Sequence, residues 1–402
     1  MGRLTRQALF LTIEKASHLA GAMILLIGVA RLSGQDTLAT YAYVIAITSV
    51  FVPLLDLGLN TRIIREVASG DASAAVGQAI SFKIRFGAFS VLTMIACSWF
   101  ADKSTEVVVS VFLVGLSTWA MSLGDVFNAV FKGLQRSHTS ALLIGGTYLC
   151  LTGLALSAIL AGWGVPGIAL VYMLCRFGFM GVAWLLVRRL GPQARAPFRW
   201  HAVLAGVPFM PAVFFVGVLL NLNFIIADSL GEATDSGLYA IGYRVASALF
   251  VLVSASLEGV LPAMVKAIAS RNGLHTLILR CCGLFFLGGL VCVIAVHVFG
   301  PWAVVRIFGE PYAGAAKALA ILSWTLPPVL VCAGLHTAFL AIGLEKEAFF
   351  WMLGLVGLGA LLGALGFAWD GAAGTALAPA LSGWVSAVGM GWRIRLHFRQ
   401  VP

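Results

Sequence analysis

The sequence predicts an all-α polytopic membrane protein with about 12 transmembrane helices. Of its 402 residues, 60% are hydrophobic and only 10% are charged, which leaves too few polar side chains to cover a soluble protein. The hydrophobic residues form runs of about twenty or more, the length of a helix that crosses a bilayer. These runs lack the polar and apolar alternation of barrel strands, so they are predicted to be helices.

The first half of the chain contains six of these runs. The first begins with the basic residues Arg3 and Arg6, as a signal peptide does. It is too long for a signal peptide and includes Glu14, Lys15 and His18, so we expect an uncleaved helix. The six predicted spans cover approximately residues 8–30, 38–59, 80–100, 107–131, 140–160 and 167–187.

A basic segment with prolines and glycine follows the sixth run and divides the chain nearly in half. The predicted spans of the second half cover approximately residues 201–227, 237–261, 274–299, 318–342, 348–368 and 373–392. We therefore predict two six-helix lobes, 1–190 and 201–402, joined by a basic cytoplasmic linker at 191–200. Because each lobe has an even number of spans, the lobes are predicted to be parallel repeats.

The loops carry an orientation signal. Lys and Arg residues collect at both ends of the chain and after spans two, four, six and eight, whereas the opposite loops hold only Arg31, Lys103, Arg306 and Lys317. The excess of basic residues on one side predicts that the N- and C-termini are both cytoplasmic. The net charge of +10 reflects this signal, so no nucleic-acid partner is predicted.

Motifs of several enzyme and cofactor classes are missing from the sequence. It has no GxxxxGK[ST] phosphate loop, no HExxH pair and no GxSxG turn. The seven cysteines lie inside apolar runs and form no CxxC motif. We therefore predict that the protein is not an enzyme and that it binds no metal or cofactor.

Ionisable residues inside the predicted spans are the candidate functional residues, because a charge at bilayer depth costs roughly 2.5 to 3.5 kcal/mol on insertion scales. Arg244 and Glu258 share one helix face of the eighth span. Arg176 lies near the middle of the sixth span, where snorkelling to the interface is hardest. Arg176 is predicted to contact an anionic substrate or an internal carboxylate, and the face with Arg244 and Glu258 is predicted to meet a bundle interior or a wet cavity.

The first and fourth spans carry further candidates. Glu14 and His18 lie on one face of the first span. Glu14 is predicted either to carry a coupling proton or ion or to form an internal salt bridge to a basic helix. Asp125, Asn128 and Lys132 share a face of the fourth span, either as a functional set or as a local charge stripe.

Five polar residues lie near the ends or along the faces of spans. Lys15, Lys83 and Arg85 are close enough to the cytoplasmic edge to snorkel, so each is predicted to be an interface anchor, with Lys15 also a candidate for the cavity. Asp56, at the end of the second span, is a candidate lumen carboxylate, and Asn221 adds a candidate polar contact in the seventh.

Two spans contain helix-breaking prolines. Pro208 and Pro211 interrupt the predicted seventh span, and Pro327 and Pro328 interrupt the tenth. In transporters such breaks mark moving or binding helices, whereas in a rigid bundle they are static kinks. We predict hinges at these four prolines.

Three short motifs resemble the polysaccharide-transporter branch of the MOP flippase superfamily. The stretch Gly237-Leu-Tyr-Ala-Ile-Gly-Tyr-Arg244, with Leu261-Pro262 after it, resembles the start and exit of that family's eighth helix. Phe308-Gly309-Glu310-x-Tyr312 resembles the loop before its tenth helix. Leu55-Asp56-Leu57-Gly58-Leu59 resembles the end of its second helix. With the two six-helix halves, the similarity spans nearly the whole chain.

This resemblance implies a flippase of the bacterial inner membrane, with membrane lipid around it. Its substrate would be a polyprenyl-diphosphate-linked oligosaccharide, moved to the outer leaflet for O-antigen, capsule or exopolysaccharide biosynthesis. The family's two lobes alternate about a central, often cationic cavity that Arg176 and Arg244 could serve here, and other polysaccharide-assembly proteins are the expected partners.

Two alternatives remain open. The four candidate carboxylates, Glu14, Asp56, Asp125 and Glu258, would partly neutralise a cationic cavity. They keep an ion-coupled antiporter of cationic small molecules, as in the drug-exporting branch of the same superfamily, as the first alternative. A membrane-bound polysaccharide polymerase or ligase is the second alternative, against which the short outer loops argue.

Overall fold

A computed structural model describes residues 3–69, 73–189, 199–204, 206–231, 233–254, 264 and 274–400. All regular structure within these residues is helical, which confirms the predicted fold class. The chain forms two units, Met1–Met210 and Pro211–Pro402.

The first unit begins with an unusually long helix. This helix, α1, has 54 residues and would be about 80 Å long if straight, more than twice the thickness of a hydrocarbon core. Gly34 divides it, because its φ of 84° lies in the left-handed region that a glycine adopts without strain. The helices of this unit are α1 (Arg3–Asp56), α2 (Leu59–Ser69), α3 (Ser73–Phe100), α4 (Thr105–Gly133), α5 (Ser137–Leu160), α6 (Gly164–Arg188) and α7 (Trp200–Leu204).

The second unit ends with a helix of the same kind. Asp370 and Gly371 divide the 56-residue helix α13, and Gly371 has a φ of 54°. The helices of this unit are α8 (Ala212–Leu230), α9 (Ala233–Ser254), α10 (Leu274–Phe308), α11 (Ala315–Ser323), α12 (Leu326–Ala341) and α13 (Glu345–Gln400). Ten helical segments of the described residues are long and apolar enough to cross a membrane. The divided α1 and α13 each supply two passages, so the predicted number of about 12 is confirmed, whereas the cytoplasmic position of the termini stays a prediction.

Pro208 and Pro211 lie before α8 and not inside a helix, which corrects the predicted bounds of the seventh span. The tenth span is interrupted as predicted, because α11 ends at Ser323 and α12 begins at Leu326. Pro208 lies in the 3-10 turn Val207–Phe209, and Pro211 caps α8. Pro327 and Pro328 occupy the first turn of α12. A proline is tolerated in the first turn, because the missing N–H would have no partner there, and it breaks a helix interior. Whether these breaks act as hinges stays a prediction.

A short amphipathic helix, α2, occupies the basic segment that follows the second span, and the sequence analysis did not predict it. Leu59, Ile63 and Val67 recur every four residues and are buried at 7% exposure or less. They pack in an apolar cluster with residues of α3, α4 and α6, including Phe82 and Val130. This packing fixes α2 along the bundle of the first unit.

Candidate functional site

A polar cavity of about 270 Å³ lies inside the first unit. It lies among α1, α2, α4 and α5, and its wall combines carboxylates, ammonium groups, amides and an aromatic pair. The polar lining residues are Glu14, Lys15 and His18 of α1, Asn60 of α2, Asp125, Asn128 and Lys132 of α4, and Tyr148 of α5. The structure thus brings together the candidates that the sequence analysis found separately on the first and fourth spans.

Glu14 forms the internal salt bridge that was the alternative to a coupling role. Its Oε1 lies 2.7 Å from Lys132 Nζ, and its Oε2 accepts a hydrogen bond of 2.5 Å from Ser140 Oγ. The carboxylate is therefore neutralised from α4 and hydrogen-bonded from α5. Lys132 is thus paired with a carboxylate of a different helix.

Lys83 is fully buried, so the prediction that it is an interface anchor is wrong. Its Nζ donates to Asp56 Oδ1 at 3.3 Å, to Asn60 Oδ1 at 3.1 Å and to the Ser122 carbonyl at 3.0 Å. The turn at Leu57 reverses the chain after α1, so that Asp56 and Asn60 approach the same ammonium group. A buried ammonium is stable only when paired and hydrogen-bonded in this way. Asp56 is therefore a structural partner of Lys83 inside the protein.

Asp125 is the cavity carboxylate without an ion pair. It is half-buried, and among the described residues it has no hydrogen-bond or salt-bridge partner. Lys83 and Lys132 are the cations that act on it, while Asp56 and Glu14 act on it as like charges. One turn away, the side-chain oxygen of Asn128 is buried, and no residue in the described part of the chain donates a hydrogen bond to it. These two residues present oxygen acceptors to whatever enters the cavity.

Arg176 contacts the cavity through a tyrosine and does not line it. Its guanidinium carbon lies 5.0 Å from the centre of the Tyr172 ring, and the same group interacts with Tyr148. Tyr148 in turn stacks on His18, with ring centres 4.5 Å apart. The Tyr172 hydroxyl lies 3.1 Å from that of Tyr41. Arg176 therefore supports the aromatic side of the cavity, a role that its position in the sequence did not indicate.

The remaining candidates belong to the second unit. Arg244 lies 4.9 Å from the centre of the Tyr243 ring, and its buried Nε and Nη2 have no hydrogen-bond partner among the described residues. Within the same part of the chain, the buried hydroxyls of Tyr239 and Tyr243 also have no partner. Asn221 donates to the Gly217 carbonyl at 2.6 Å, but no described residue donates to its side-chain oxygen. Glu258 lies outside the described residues.

Comparison with known proteins finds similarity only at the level of structure. No protein-family model and no curated protein sequence matches the chain. An inward-facing multidrug resistance MATE family transporter of the MOP superfamily is 18% identical with a TM-score of 0.70, covering 98% of this chain and 100% of that chain. An outward-facing MATE transporter is 16% identical with a TM-score of 0.64, over 98% and 95% of the two chains.

A third solved structure is a MOP superfamily transporter from Pyrococcus furiosus, for which the reversed polarity of the binding pocket suggests a different function. It is 17% identical with a TM-score of 0.69 and covers 98% of this chain and 95% of that chain. The resemblance to the MOP superfamily is thus confirmed for the fold, while membership of its polysaccharide branch stays a prediction. The chain has the two-lobed, all-helical fold of the MATE transporters of the MOP superfamily.

Proposed function

We propose that this multi-pass membrane protein exports cationic small molecules in exchange for a proton or an inorganic cation. The observation that carries the proposal is the Asp125 carboxylate, which faces the cavity and forms no ion pair with any residue that the structure describes. Glu14 and Asp56 are already paired with Lys132 and Lys83. Asp125 is therefore the carboxylate of this cavity that can exchange one positive partner for another.

The physical basis is the cost of an unpaired charge inside a membrane. A carboxylate at bilayer depth is neutralised by a proton, an inorganic cation or an organic cation, and these compete for the same oxygens. Competition of this kind couples release of one cation to binding of another. Asn128 adds a second oxygen acceptor, and the His18–Tyr148 stack adds an aromatic surface on which an organic cation is stabilised. The multidrug resistance transporters that share the fold support the same substrate class.

Reconstitution in liposomes tests the proposal. Tetraphenylphosphonium transport is followed with and without an imposed proton or sodium gradient. The Asp125→Asn variant is expected to lower gradient-driven transport by about tenfold or more. The matched control is Asp102→Asn, which makes the same chemical change at an exposed position in a loop. Equal gradient-driven transport by wild type and Asp125→Asn would refute the role of Asp125.

A second candidate function is the flipping of a polyprenyl-diphosphate-linked oligosaccharide in a bacterial inner membrane. The observation that favours it is Arg244, whose two unpartnered guanidinium nitrogens are buried. A guanidinium remains charged in proteins and binds phosphate groups through parallel hydrogen bonds. Glycan-assembly proteins would be the partners in this case.

The two candidates are distinguished by a second assay on the same liposomes. A fluorescent polyprenyl-diphosphate oligosaccharide is incorporated, and an impermeant quencher reports how much label reaches the outer surface. Flipping that Arg244→Gln removes and Asp125→Asn leaves intact would support the flippase. If neither the wild type nor the variants flip the lipid and the wild type transports tetraphenylphosphonium, the result would support the cation exporter.

A further inference from the structure

Helix α2 joins the cavity of the first unit to the segment that leads into the second unit. We call residues 199–210 the junction segment; it contains α7 and the turn Val207–Phe209. One face of α2 lines the cavity through Asn60 and Ile64. The turn before α2 meets the junction segment, because Gly58 packs directly against the backbone of Gly206.

The contact between Gly58 and Gly206 leaves no room for a side chain. A methyl group on Gly58 would overlap the Gly206 carbonyl oxygen, and one on Gly206 would lie 2.6 Å from the Leu57 carbonyl oxygen. Gly58 also has a φ of 74° and follows Leu57, whose φ is 45°. Gly206 has ordinary helical angles, φ −79° and ψ −29°, which alanine adopts without strain. Only the close contact with the Leu57 carbonyl therefore disfavours alanine at this position.

The junction segment is attached to the same region at two further points. Val203 is fully buried in the apolar cluster that contains Leu59 and Ile63 of α2. Trp200 packs edge-on against Phe82 of α3, with ring centres 6.1 Å apart. The described part of the junction segment is therefore held against α2 and α3.

The other end of the connection is electrostatic. Lys83 donates to Asn60 of α2, to Asp56 just before it, and to the Ser122 carbonyl of α4, three residues before the cavity carboxylate Asp125. Because Lys83 is hydrogen-bonded to α4 one turn from Asp125, a proton or cation that neutralises Asp125 changes the electrostatic field at the Lys83 ammonium. The hydrogen bonds from Lys83 to Asp56 and Asn60 at the start of α2 then change in strength.

We propose that α2 transmits the charge state of the cavity, through Lys83 and the Gly58–Gly206 contact, to the junction segment and so to the chain entering the second unit. Lys83 is a positioning residue in this scheme, because it acts on α2 and contacts no substrate. The inference rests on the proposed function, in which Asp125 is the group that changes its charge partner. The far end of α2 is also fixed. Val67 and the Ile64 carbonyl pack so closely against Gly133 of α4 that a side chain on Gly133 would have no room. A shift at the start of α2 is therefore carried along a rigid helix.

The experiment reads the junction segment directly. In a cysteine-free protein carrying His201→Cys, the rate of labelling by an impermeant maleimide reports the environment of this exposed position. The rate is measured before and after adding tetraphenylphosphonium, and separately in the Asp125→Asn background, which changes the cavity charge without any ligand. We expect each change to alter the labelling rate by about fivefold.

Gly206→Ala is expected to abolish both responses while tetraphenylphosphonium binding is retained. Gly181→Ala is the matched control, because a methyl group on Gly181 meets no atom within 4 Å. The double variant Asp56→Asn with Lys83→Met tests the other end of the connection without leaving an unpaired buried charge, and it gives the answer if Gly206→Ala does not fold. Labelling responses that persist unchanged in both Gly206→Ala and this double variant overturn the inference. A labelling rate that Asp125→Asn leaves unchanged also overturns it. A wild type that does not bind tetraphenylphosphonium but responds to Asp125→Asn would overturn the proposed function and support the inference.

Discussion

Lys83 and Asp56 form a buried ion pair at 3.3 Å, with side-chain exposures of 0% and 7%. The pair joins α3 to the end of α1 at the point where the chain turns into α2. It lies inside the protein, although both residues are near the predicted ends of spans. Removing one partner leaves a buried charge without compensation, which is far more costly than removing both.

Lys83→Met is therefore expected to destabilise the protein by about 3 to 5 kcal/mol. The double variant Asp56→Asn with Lys83→Met is expected to recover a large part of that loss, because no unpaired charge remains. Thermal unfolding in detergent measures both. Equal destabilisation by the single and the double variant would contradict the importance of the pair.

The Glu14–Lys132 pair is expected to matter less for stability. Its side chains are 13% and 27% exposed, so water screens the interaction. Glu14→Gln is expected to cost about 1 kcal/mol, with the hydrogen bond from Ser140 retained. A double-mutant cycle with Lys132→Met measures the coupling between the two residues. A loss as large as that of Lys83→Met would show that the pair is effectively buried.

Gly34 and Gly58 offer a comparison between backbone strain and steric overlap. Both have positive φ, but a methyl group on Gly34 meets no atom within 4 Å, whereas one on Gly58 overlaps the Gly206 backbone. Gly34→Ala is expected to cost about 1 to 3 kcal/mol from backbone strain alone, because φ 84° with ψ −178° is a conformation that almost only glycine adopts. Gly58→Ala is expected to cost clearly more. Thermal unfolding of the two variants tests the order, and a smaller loss for Gly58→Ala would contradict the packing.

Arg176 is expected to influence substrate binding indirectly. Arg176→Gln removes the cation beside Tyr172 and Tyr148 without changing either ring, so the rings are held less firmly. The concentration of tetraphenylphosphonium giving half-maximal transport should therefore rise by about fivefold. The maximal rate should change little, in contrast to Asp125→Asn. Arg176→Lys should restore part of the affinity. Loss of the maximal rate in Arg176→Gln would indicate a direct role in transport.

Hydrophobic runs predicted the passages well, because a helix in lipid needs about twenty apolar residues whatever its neighbours are. The breaks at Gly34 and Gly371 fall between predicted spans for the same reason. Helix α2 was missed because its basic residues, Arg62 and Arg65, were interpreted as an orientation signal. The spacing of Leu59, Ile63 and Val67 was present in the sequence and could have identified the helix.

The cavity was predictable only in part. Glu14, Asp125 and Lys132 were recognised as charges at membrane depth, which is a local property of each span. Their pairing was not predictable, because Glu14 meets Lys132 across 118 positions of sequence. Lys83 was misassigned for a similar reason. Snorkelling was predicted from the short distance between Lys83 and the end of its span, whereas only the folded chain shows that Asp56 lies beside Lys83.

The break in α1 affects how the chain enters the membrane during synthesis. Gly34 is the single non-helical residue between its first two passages. With no extended loop between them, the two passages must insert together as a helical pair. Proteases cut extended loop tips. On the side of the membrane where Gly34 lies, they therefore find no extended segment between these two passages.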